Sequence, residues 1–225
     1  MALVVDDTFT EAVDTLITSH TGETGATWTR HPVGATIAPP YADGADEVRA
    51  GNDTDAYYYY ASGAPANADW KATISYKNRA SVGTGQNTVV WLRMTTTNPI
   101  NGYGLFYVNS ATPYFRLYKF YGAGPSAAQL GSDYTMTLAT DQDIDFYAVG
   151  TSIRAYNGST LMISATDSDV SSAGRAGIRF SDYALSGATG GINISRLQAW
   201  DSAKLPTGSS PARRSFNAFR GVYTR

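Results

Sequence analysis

Three aspartates at alternate positions are the first residues of this sequence whose type and spacing could do chemistry. Asp141, Asp143 and Asp145 lie at the start of an apolar run. Since alternate side chains of a β-strand share a face, this spacing would bring the three carboxylates onto one side. Calcium takes several oxygen ligands, so the triplet is a candidate calcium site, with 52–55 and 167–169 as rivals. The alternative is the polar edge of an ordinary strand.

A second candidate site consists of aromatic and arginine side chains that alternate along the runs 87–95, 102–109 and 113–121. If these runs are neighbouring strands, one sheet face would carry Trp91, Arg93, Tyr103, Tyr107, Arg116 and Tyr118. Aromatic faces stack on sugar rings, and arginine donates paired hydrogen bonds to hydroxyl or carboxylate oxygens. The pattern predicts a glycan-binding face, unless the rings are ordinary strand formers that fill a half-buried face.

The elements that must position these residues are short strands. Alternating runs are separated by clusters of Gly, Asn, Asp, Ser and Pro, and Asn157-Gly158 is a strong hairpin signal between two of them. The clearest runs are 45–50, 56–61, 68–78, 87–95, 102–109, 113–121, 143–149, 151–156, 159–165, 174–180 and 190–200. No segment of the body longer than about ten residues has a helical period. The sequence therefore predicts an all-β chain that folds as a two-sheet antiparallel β-sandwich over residues 1–200.

Composition and charge exclude several kinds of site. Without cysteine there can be no disulfide, thiolate metal site or cysteine nucleophile. The 17 basic residues are balanced by 19 acidic ones, so there is no global basic field to bind nucleic acid. No apolar run approaches the roughly 18 residues that span a bilayer. We therefore expect neither nucleic acid nor a membrane as a partner.

The C-terminal residues differ from the body in composition and charge. Residues 201–212 are rich in Pro, Gly and Ser and predict a linker. Residues 213–225 carry four arginines and no acid, so this segment has a charge of +4 in a chain whose total is −2. The segment predicts an anchoring arm, in which aromatic side chains would be the anchors on a partner, and the alternative is an unstructured tail. The predicted docking residues are Arg213, Arg214, Phe216, Phe219, Arg220 and Tyr223.

Two stretches resemble known β-sandwich families. Residues 7–32 resemble the opening motif of concanavalin A-like domains found in bacteriophage virion proteins, although Val13-Asp14 and Gly22-Glu23 depart from it. The matching residues are Asp7, Phe9, Leu16, His20, Thr21, Gly25 and Trp28. Residues 143–200 resemble the closing hairpins of laminin-G-like and concanavalin A-like sandwiches.

The resemblance implies a concanavalin A-like jelly roll that serves as a virion structural protein, as a capsid decoration, head fibre or tail-associated protein. Its partners would be other capsid or tail proteins, further copies of the chain in a homo-oligomer, and host surface glycans. The N-terminus does not read as a signal peptide, so we expect synthesis in the host cytoplasm before assembly into the virion. His20 would make a structural hydrogen bond. The alternative function is a carbohydrate-binding module without a virion role.

A third function, glycoside hydrolysis, is carried on this fold by glucanases with a Glu-x-Asp-x-x-Glu strand. Glutamate occurs here only at Glu11, Glu23 and Glu47, so that strand is absent, and the alternative of a hydrolase would need an aspartate pair from Asp141, Asp143 and Asp145. The sequence also lacks a phosphate-binding loop, a Gly-x-Ser-x-Gly nucleophile motif and the histidine spacing of zinc proteases. We expect a protein that is not an enzyme, with no catalytic residues and no cofactor other than the candidate calcium.

Overall fold

The computed structural model describes residues 1–33, 39–50, 57–79, 86–122, 126–181 and 191–206. In chain order the strands are β1 (Leu3–Asp7), β2 (Thr15–Leu16), β3 (Trp28–Arg30), β4 (Tyr41–Asp43), β5 (Glu47–Arg49), β6 (Tyr57–Ala61), β7 (Trp70–Arg79), β8 (Gln86–Met94), β9 (Gly102–Asn109), β10 (Tyr114–Tyr121), β11 (Ser126–Thr135), β12 (Gln142–Val149), β13 (Ser152–Asn157), β14 (Thr160–Thr166), β15 (Arg175–Ser181) and β16 (Gly191–Trp200). A short 3-10 helix, Ile17–Ser19, follows β2. No helix among the described residues is long and apolar enough to cross a membrane.

The strands pair into two antiparallel sheets. One has nine strands, in the order β14-β13-β12-β7-β16-β5-β4-β2, with β1 added to β16. The other has seven strands, in the order β11-β10-β9-β8-β15-β6-β3. Each of the predicted runs coincides with one of these strands to within a few residues. The predicted two-sheet antiparallel sandwich is confirmed.

The main core lies between the two sheets. Trp70, Ile74 and Phe146 of the nine-stranded sheet are fully buried in one cluster with Leu92 and Phe115 of the seven-stranded sheet. These residues lie at positions that share one face of their strands, so each sheet turns an apolar side towards the other. Burial of this apolar surface is the main stabilising contribution to the fold.

A second apolar cluster covers the outer face of the seven-stranded sheet. Val89, Trp91, Phe106 and Phe120 are buried in it. The rings of Trp91 and Phe120 meet edge to face, with centroids 4.7 Å apart. Gly104 lies opposite Trp91 on β9, where any side chain would meet the Trp91 and Phe106 rings. The aromatic side chains on this part of the face therefore pack against one another.

The N-terminal motif residues form a buried network. The carboxylate of Asp7 accepts hydrogen bonds from Nε2 of His20 (2.8 Å) and from the indole N–H of Trp28 (2.6 Å). Nδ1 of His20 lies 2.7 Å from Oε1 of Glu11, and the ring of Phe9 is 5.9 Å from the rings of both His20 and Trp28. Burial by itself would lower the pKa of His20, but the two carboxylates outweigh it and raise the pKa to about 9. The structural role expected of His20 is confirmed.

The last strand, β16, ends at Trp200. Asp201 accepts a hydrogen bond from the backbone N–H of Ala2 (3.0 Å), which ties this end of the chain to the first strand. The predicted linker, 201–212, therefore begins against the sandwich. The predicted arm, 213–225, with its six docking residues, lies outside the described residues.

Candidate functional site

Three of the six residues predicted to form a glycan-binding face, Trp91, Arg116 and Tyr118, lie on a common face of the seven-stranded sheet. β8, β9 and β10 are neighbours, and Trp91 and Tyr118 both lie opposite Gly104 of β9. Arg116 lies two residues before Tyr118, so its side chain leaves β10 on the same side. This is the outer face of the seven-stranded sheet.

Tyr103 and Tyr107 point to the other face, which corrects the prediction. Tyr103 lies opposite Leu92 of β8 rather than opposite Trp91, and both tyrosines are buried in the main core. The alternation within each run is as predicted, but the register between the runs is not. A shift of one residue in the pairing moves every side chain of a strand to the opposite face.

Arg93 also turns inward, because β8 contains a bulge at this residue. Trp91 pairs with Gly177 of β15 and Met94 with Arg175, so two residues of β8 lie opposite one of β15. Arg93 has a φ of 56°. The extra residue of a bulge changes the direction of its side chain relative to regular alternation. The guanidinium predicted on the outer face is instead 2% exposed.

The residues that remain on the outer face are engaged within the protein. Trp91 is fully buried, so its ring offers no surface to a sugar. Arg116 donates from Nε and Nη2 to the carboxylate of Asp133 (2.7 and 2.5 Å) and from Nη1 to the hydroxyl of Tyr118 (3.2 Å). The ring of Tyr114 lies 4.8 Å from the same guanidinium. This face is a packed polar and aromatic layer rather than an open platform.

The predicted calcium triplet does not form a common site, which is a second correction. Asp141 pairs with Lys77 (2.7 Å) and Asp145 with Lys71 (3.0 Å), while Asp143 accepts a hydrogen bond from a serine of β7 (2.6 Å). Side chains on one strand face are about 7 Å apart at each step, and here each carboxylate is paired with a different group of β7. Across the described ranges, no three Asp, Glu or His side chains are grouped so that they could hold a metal. The rival segment 52–55 lies outside the described residues.

The other rival aspartates lie on a loop at one end of the sandwich, residues 167–174 between β14 and β15. The ammonium of Lys119, from β10, donates to Oδ2 of Asp167 (2.6 Å) and to the carboxylate of Asp169. The hydroxyl of Tyr103 donates to the other oxygen of Asp167 (2.8 Å). Burial raises the pKa of Asp167, but these hydrogen bonds outweigh it and hold the pKa below its usual value. The ammonium group therefore occupies the position between the carboxylates that a cation would need.

Arg93 ties the same loop to the rest of the molecule. Its Nη1 donates to the carbonyl of Val170 (2.7 Å), its Nε to that of Ala68 (2.7 Å) and its Nη2 to that of Gly150 (2.9 Å). Thus β8, β9 and β10 each send one long polar side chain to this end of the sandwich. Such a connected network holds the 167–174 loop in one conformation.

An open cleft of about 410 Å³ borders this loop. It is lined by Thr95, Asn101, Tyr121, Gly122, Asp169, Val170, Ser171 and Ser172. Tyr121 is 39% exposed, and the Lys119 ammonium lies 4.6 Å from the centre of its ring. The other wall of the cleft is the loop of residues 95–101. There the N–H of Thr95 donates to the carbonyl of Asn101, and the N–H of Asn101 donates to Oγ1 of Thr95, both at 2.9 Å. Both loops that form the cleft are therefore held by hydrogen bonds, the 95–101 loop by its own and the 167–174 loop by those from the strands.

The groups in the cleft suit a polyhydroxylated ligand. Tyrosine offers a flat apolar face with a polar tip, while a carboxylate and an amide exchange hydrogen bonds with hydroxyl groups. This site was not predicted from the sequence, because its residues come from three distant segments, 95–101, 121–122 and 169–172. One signal was available, since Tyr121 is the last residue of an aromatic run and the turn at Gly122 follows it.

Comparison with known proteins places the fold but gives no family. Neither the protein-family models nor the curated proteins contain a match to this sequence. Among solved structures, a Bacillus subtilis protein of unknown function with a galectin-like fold has a TM-score of 0.59 at 9% identity, covering 89% of this chain and 96% of that chain. The potassium-bound carbohydrate recognition domain of Emp46p has a TM-score of 0.56 at 8% identity, covering 79% and 89%.

A further similar structure is the exoplasmic/lumenal domain of VIP36 in its Ca²⁺/Man2-bound form. Its TM-score is 0.54 at 11% identity, covering 87% of this chain and 88% of that chain. At such low identities these likenesses show the fold alone. The chain is a concanavalin A-like jelly-roll β-sandwich, as its sequence predicted.

Proposed function

We propose that the protein binds carbohydrate, with one saccharide unit held in the cleft against the ring of Tyr121. The exposed aromatic ring on the wall of a polar cleft is the observation that carries this proposal. Ligand pockets in proteins commonly enclose about 300–1,000 Å³, and the cleft lies within that range. Stacking of the ring on the apolar face of a sugar leaves the sugar hydroxyls free to bond to Asp169, Asn101 and the serines of the loop.

The rigidity of the cleft supports binding. Binding loses free energy when side chains and loops must be ordered, and loops that are already ordered avoid that cost. Lys119, Tyr103 and Arg93 hold the 167–174 loop before any ligand arrives. The site therefore favours recognition by a preformed surface.

The contents of the cleft favour binding over hydrolysis. Glycoside hydrolysis needs two carboxyl groups about 5–10 Å apart on either side of the scissile bond. Among the described residues that line the cleft, Asp169 is the one carboxylate, and it is paired with Lys119. The solved structures of similar fold include a domain named for carbohydrate recognition and one solved with Ca²⁺ and Man2, which is in line with this proposal.

A glycan array followed by titration calorimetry tests the proposal. We expect the wild-type protein to bind a defined glycan, and Tyr121→Ala to weaken that binding by about tenfold or more, as loss of a well-placed aromatic contact does. Tyr118→Ala is the matched control, because Tyr118 lies on the outer face of the sheet. Absence of binding to any glycan, or loss of binding in Tyr118→Ala with none in Tyr121→Ala, would overturn the assignment to the cleft.

We also propose that the chain attaches to a virion through residues 213–225. This proposal is supported by the resemblance of residues 7–32 to virion domains and by the basic and aromatic composition of the arm. Deleting residues 213–225 should leave the sandwich folded and abolish incorporation into particles. Unchanged incorporation of the truncated chain would contradict the proposal.

A further inference from the structure

A second cavity of about 260 Å³ adjoins the cleft. It is lined by Thr95, Thr96, Thr97, Ser172, Ala173, Gly174 and Arg175. Thr95 and Ser172 line both cavities. The two cavities are therefore parts of one groove that runs between the 95–101 loop and the 167–174 loop, and a ligand longer than one saccharide unit would enter both.

The charge of the second cavity comes from Arg175. The residues around it are three threonines, a serine, an alanine and a glycine, and no carboxylate belongs to the lining. Nη1 of Arg175 donates to the carbonyl of Gly174 (3.3 Å), and the described part of the chain supplies no ion-pair partner for the guanidinium. A guanidinium has five N–H donors, so most of its hydrogen-bonding capacity is open to a ligand.

The first cavity differs in this respect, because its charges are already neutralised. Asp169 lines the cleft, and its carboxylate is paired with the ammonium of Lys119. The buried cation nearby, Arg93, has Asp69 at 3.7 Å and is surrounded by backbone carbonyls. Arg175 therefore differs from these groups, because it is a half-buried cation at the groove for which no described acidic residue provides a counter-charge.

The backbone fixes the place from which the Arg175 side chain starts. Gly174 has a φ of 56°, and a Cβ atom at this position would lie 2.3 Å from the carbonyl carbon of Arg93. Glycine adopts this conformation without strain, and the close approach leaves no room for a side chain. The start of β15 therefore packs tightly against the bulge of β8, so the backbone that carries the Arg175 side chain is held rigidly beside the groove.

From this arrangement we propose that the second cavity binds an anionic substituent, a carboxylate or a sulfate, on the saccharide that occupies the cleft. The ligand class is an acidic oligosaccharide rather than a neutral one, and this inference rests on the carbohydrate-binding function proposed above. Guanidinium groups bind carboxylate and oxyanion groups through paired hydrogen bonds, and the surrounding hydroxyls add further donors. The neutral cleft holds the sugar ring, and Arg175 selects the acidic neighbour.

The anion site can be tested without any glycan. The full chain is titrated with sodium sulfate and followed by ¹H–¹⁵N NMR, with sodium chloride at equal ionic strength as the control. We expect saturable shifts of the Thr96, Thr97 and Ser172 amides in the wild-type protein. Arg175→Gln should weaken this binding by about tenfold or more, because the charged donor is lost. Arg154→Gln removes an arginine from the opposite sheet and should behave as wild type. Absence of saturable shifts, or equal shifts in Arg175→Gln, would overturn the proposal.

The second arm compares matched glycans that differ in one acidic group, such as cellobiose and its sulfated or uronic-acid forms, together with any pair selected on the array. We expect the wild type to prefer the acidic member by about tenfold, and Arg175→Gln to lose that preference while neutral binding is kept. Tyr121→Ala should weaken both members. Equal binding of both members in the wild type would overturn the acidic ligand class and leave carbohydrate binding in place. Sulfate binding without any glycan binding would overturn carbohydrate binding and leave the anion site.

Discussion

The ammonium of Lys119 lies 2.6 Å from Oδ2 of Asp167 and joins the seven-stranded sheet to the 167–174 loop. Asp167 is 7% exposed, so this ion pair is withdrawn from solvent far more than a surface pair. The same ammonium reaches Asp169 on the wall of the cleft. The pair therefore links the stability of the sandwich to the shape of the candidate binding site.

Replacing Lys119 should affect both stability and binding. Lys119→Met would leave the Asp167 carboxylate without its cation, and a buried group that loses its partner costs about 1–3 kcal/mol in the free energy of unfolding. Ligand affinity should fall as well, because the loop is released. Lys77→Met breaks the surface pair with Asp141, which is 61% exposed, and should cost less than about 1 kcal/mol. Equal losses from the two variants in urea unfolding would contradict this interpretation.

Metal removal should leave glycan binding unchanged. The position between Asp167 and Asp169 is filled by the Lys119 ammonium, so those carboxylates already have their counter-charge. We expect the same affinity by titration calorimetry in EDTA and in excess calcium chloride. A loss of affinity in EDTA that calcium restores would show that a metal acts at the site.

Trp91 should matter for stability and not for ligand contact. Its ring is fully buried against Phe106 and Phe120, so Trp91→Ala should lower the free energy of unfolding by about 3–5 kcal/mol, as large cavities in aromatic clusters do. Glycan affinity per folded molecule should stay at the wild-type value. Circular dichroism gives the folded fraction and its stability, and calorimetry on that fraction gives the glycan affinity. Loss of affinity in a fully folded Trp91→Phe variant would instead indicate that Trp91 contacts the ligand.

A side chain at Gly174, the last residue of the 167–174 loop, should destabilise the protein more than a side chain at Gly158. Gly174→Ala would set a Cβ 2.3 Å from the carbonyl carbon of Arg93 and should destabilise the chain by at least about 2 kcal/mol. Gly158 is a close control, since it has the same φ of 56° with no atom within 4 Å of its Cβ position. Gly158→Ala should cost only the left-handed strain of about 1–2 kcal/mol. Thermal unfolding of the two variants separates the effect of the close contact from that of the left-handed strain. Equal losses of stability would contradict the close approach.

The His20 network should make stability depend on pH in the alkaline range. The pKa of His20 is raised to about 9 from an unfolded value near 6.5, so the folded state holds the extra proton between these values. The stabilisation is complete below about pH 6.5 and is lost as the pH rises through about 9. An NMR titration of the His20 ring and urea unfolding of wild type and His20→Gln check this. Burial lowers the pKa of His31, so its contribution to the stability of the protein has the opposite pH dependence and is lost as the pH falls.

Much of the fold could be predicted from the sequence because the strands of the interior carry strong local signals. Asn157-Gly158 turns β13 back onto β14 as predicted. β11 was missed, because its residues, 126–135, are mostly exposed at the edge of the sheet and lack an apolar alternation. The short strands β1 to β4 were missed for a related reason, since each has only two to five residues and is stabilised by pairing with its neighbours.

The candidate site could not be predicted in the same way, because its geometry depends on contacts between distant segments. The bulge that turns Arg93 inward follows from the pairing of β8 with β15, and nothing near Arg93 in the sequence marks it. The inward direction of Tyr103 depends on the register between β8 and β9. Both residues were predicted to contact a ligand, and in the structure they hold the 167–174 loop instead.

In the proposed function, a saccharide lies in the cleft between the 95–101 loop and the 167–174 loop. The most direct measurement is a ¹H–¹⁵N NMR titration of the wild-type chain with a glycan selected on an array. We expect the largest shifts at Asn101, Gly122 and Asp169, with little change at Tyr114 and Arg116 on the outer face. Shifts concentrated on Tyr114 and Arg116, with an unchanged cleft, would contradict it.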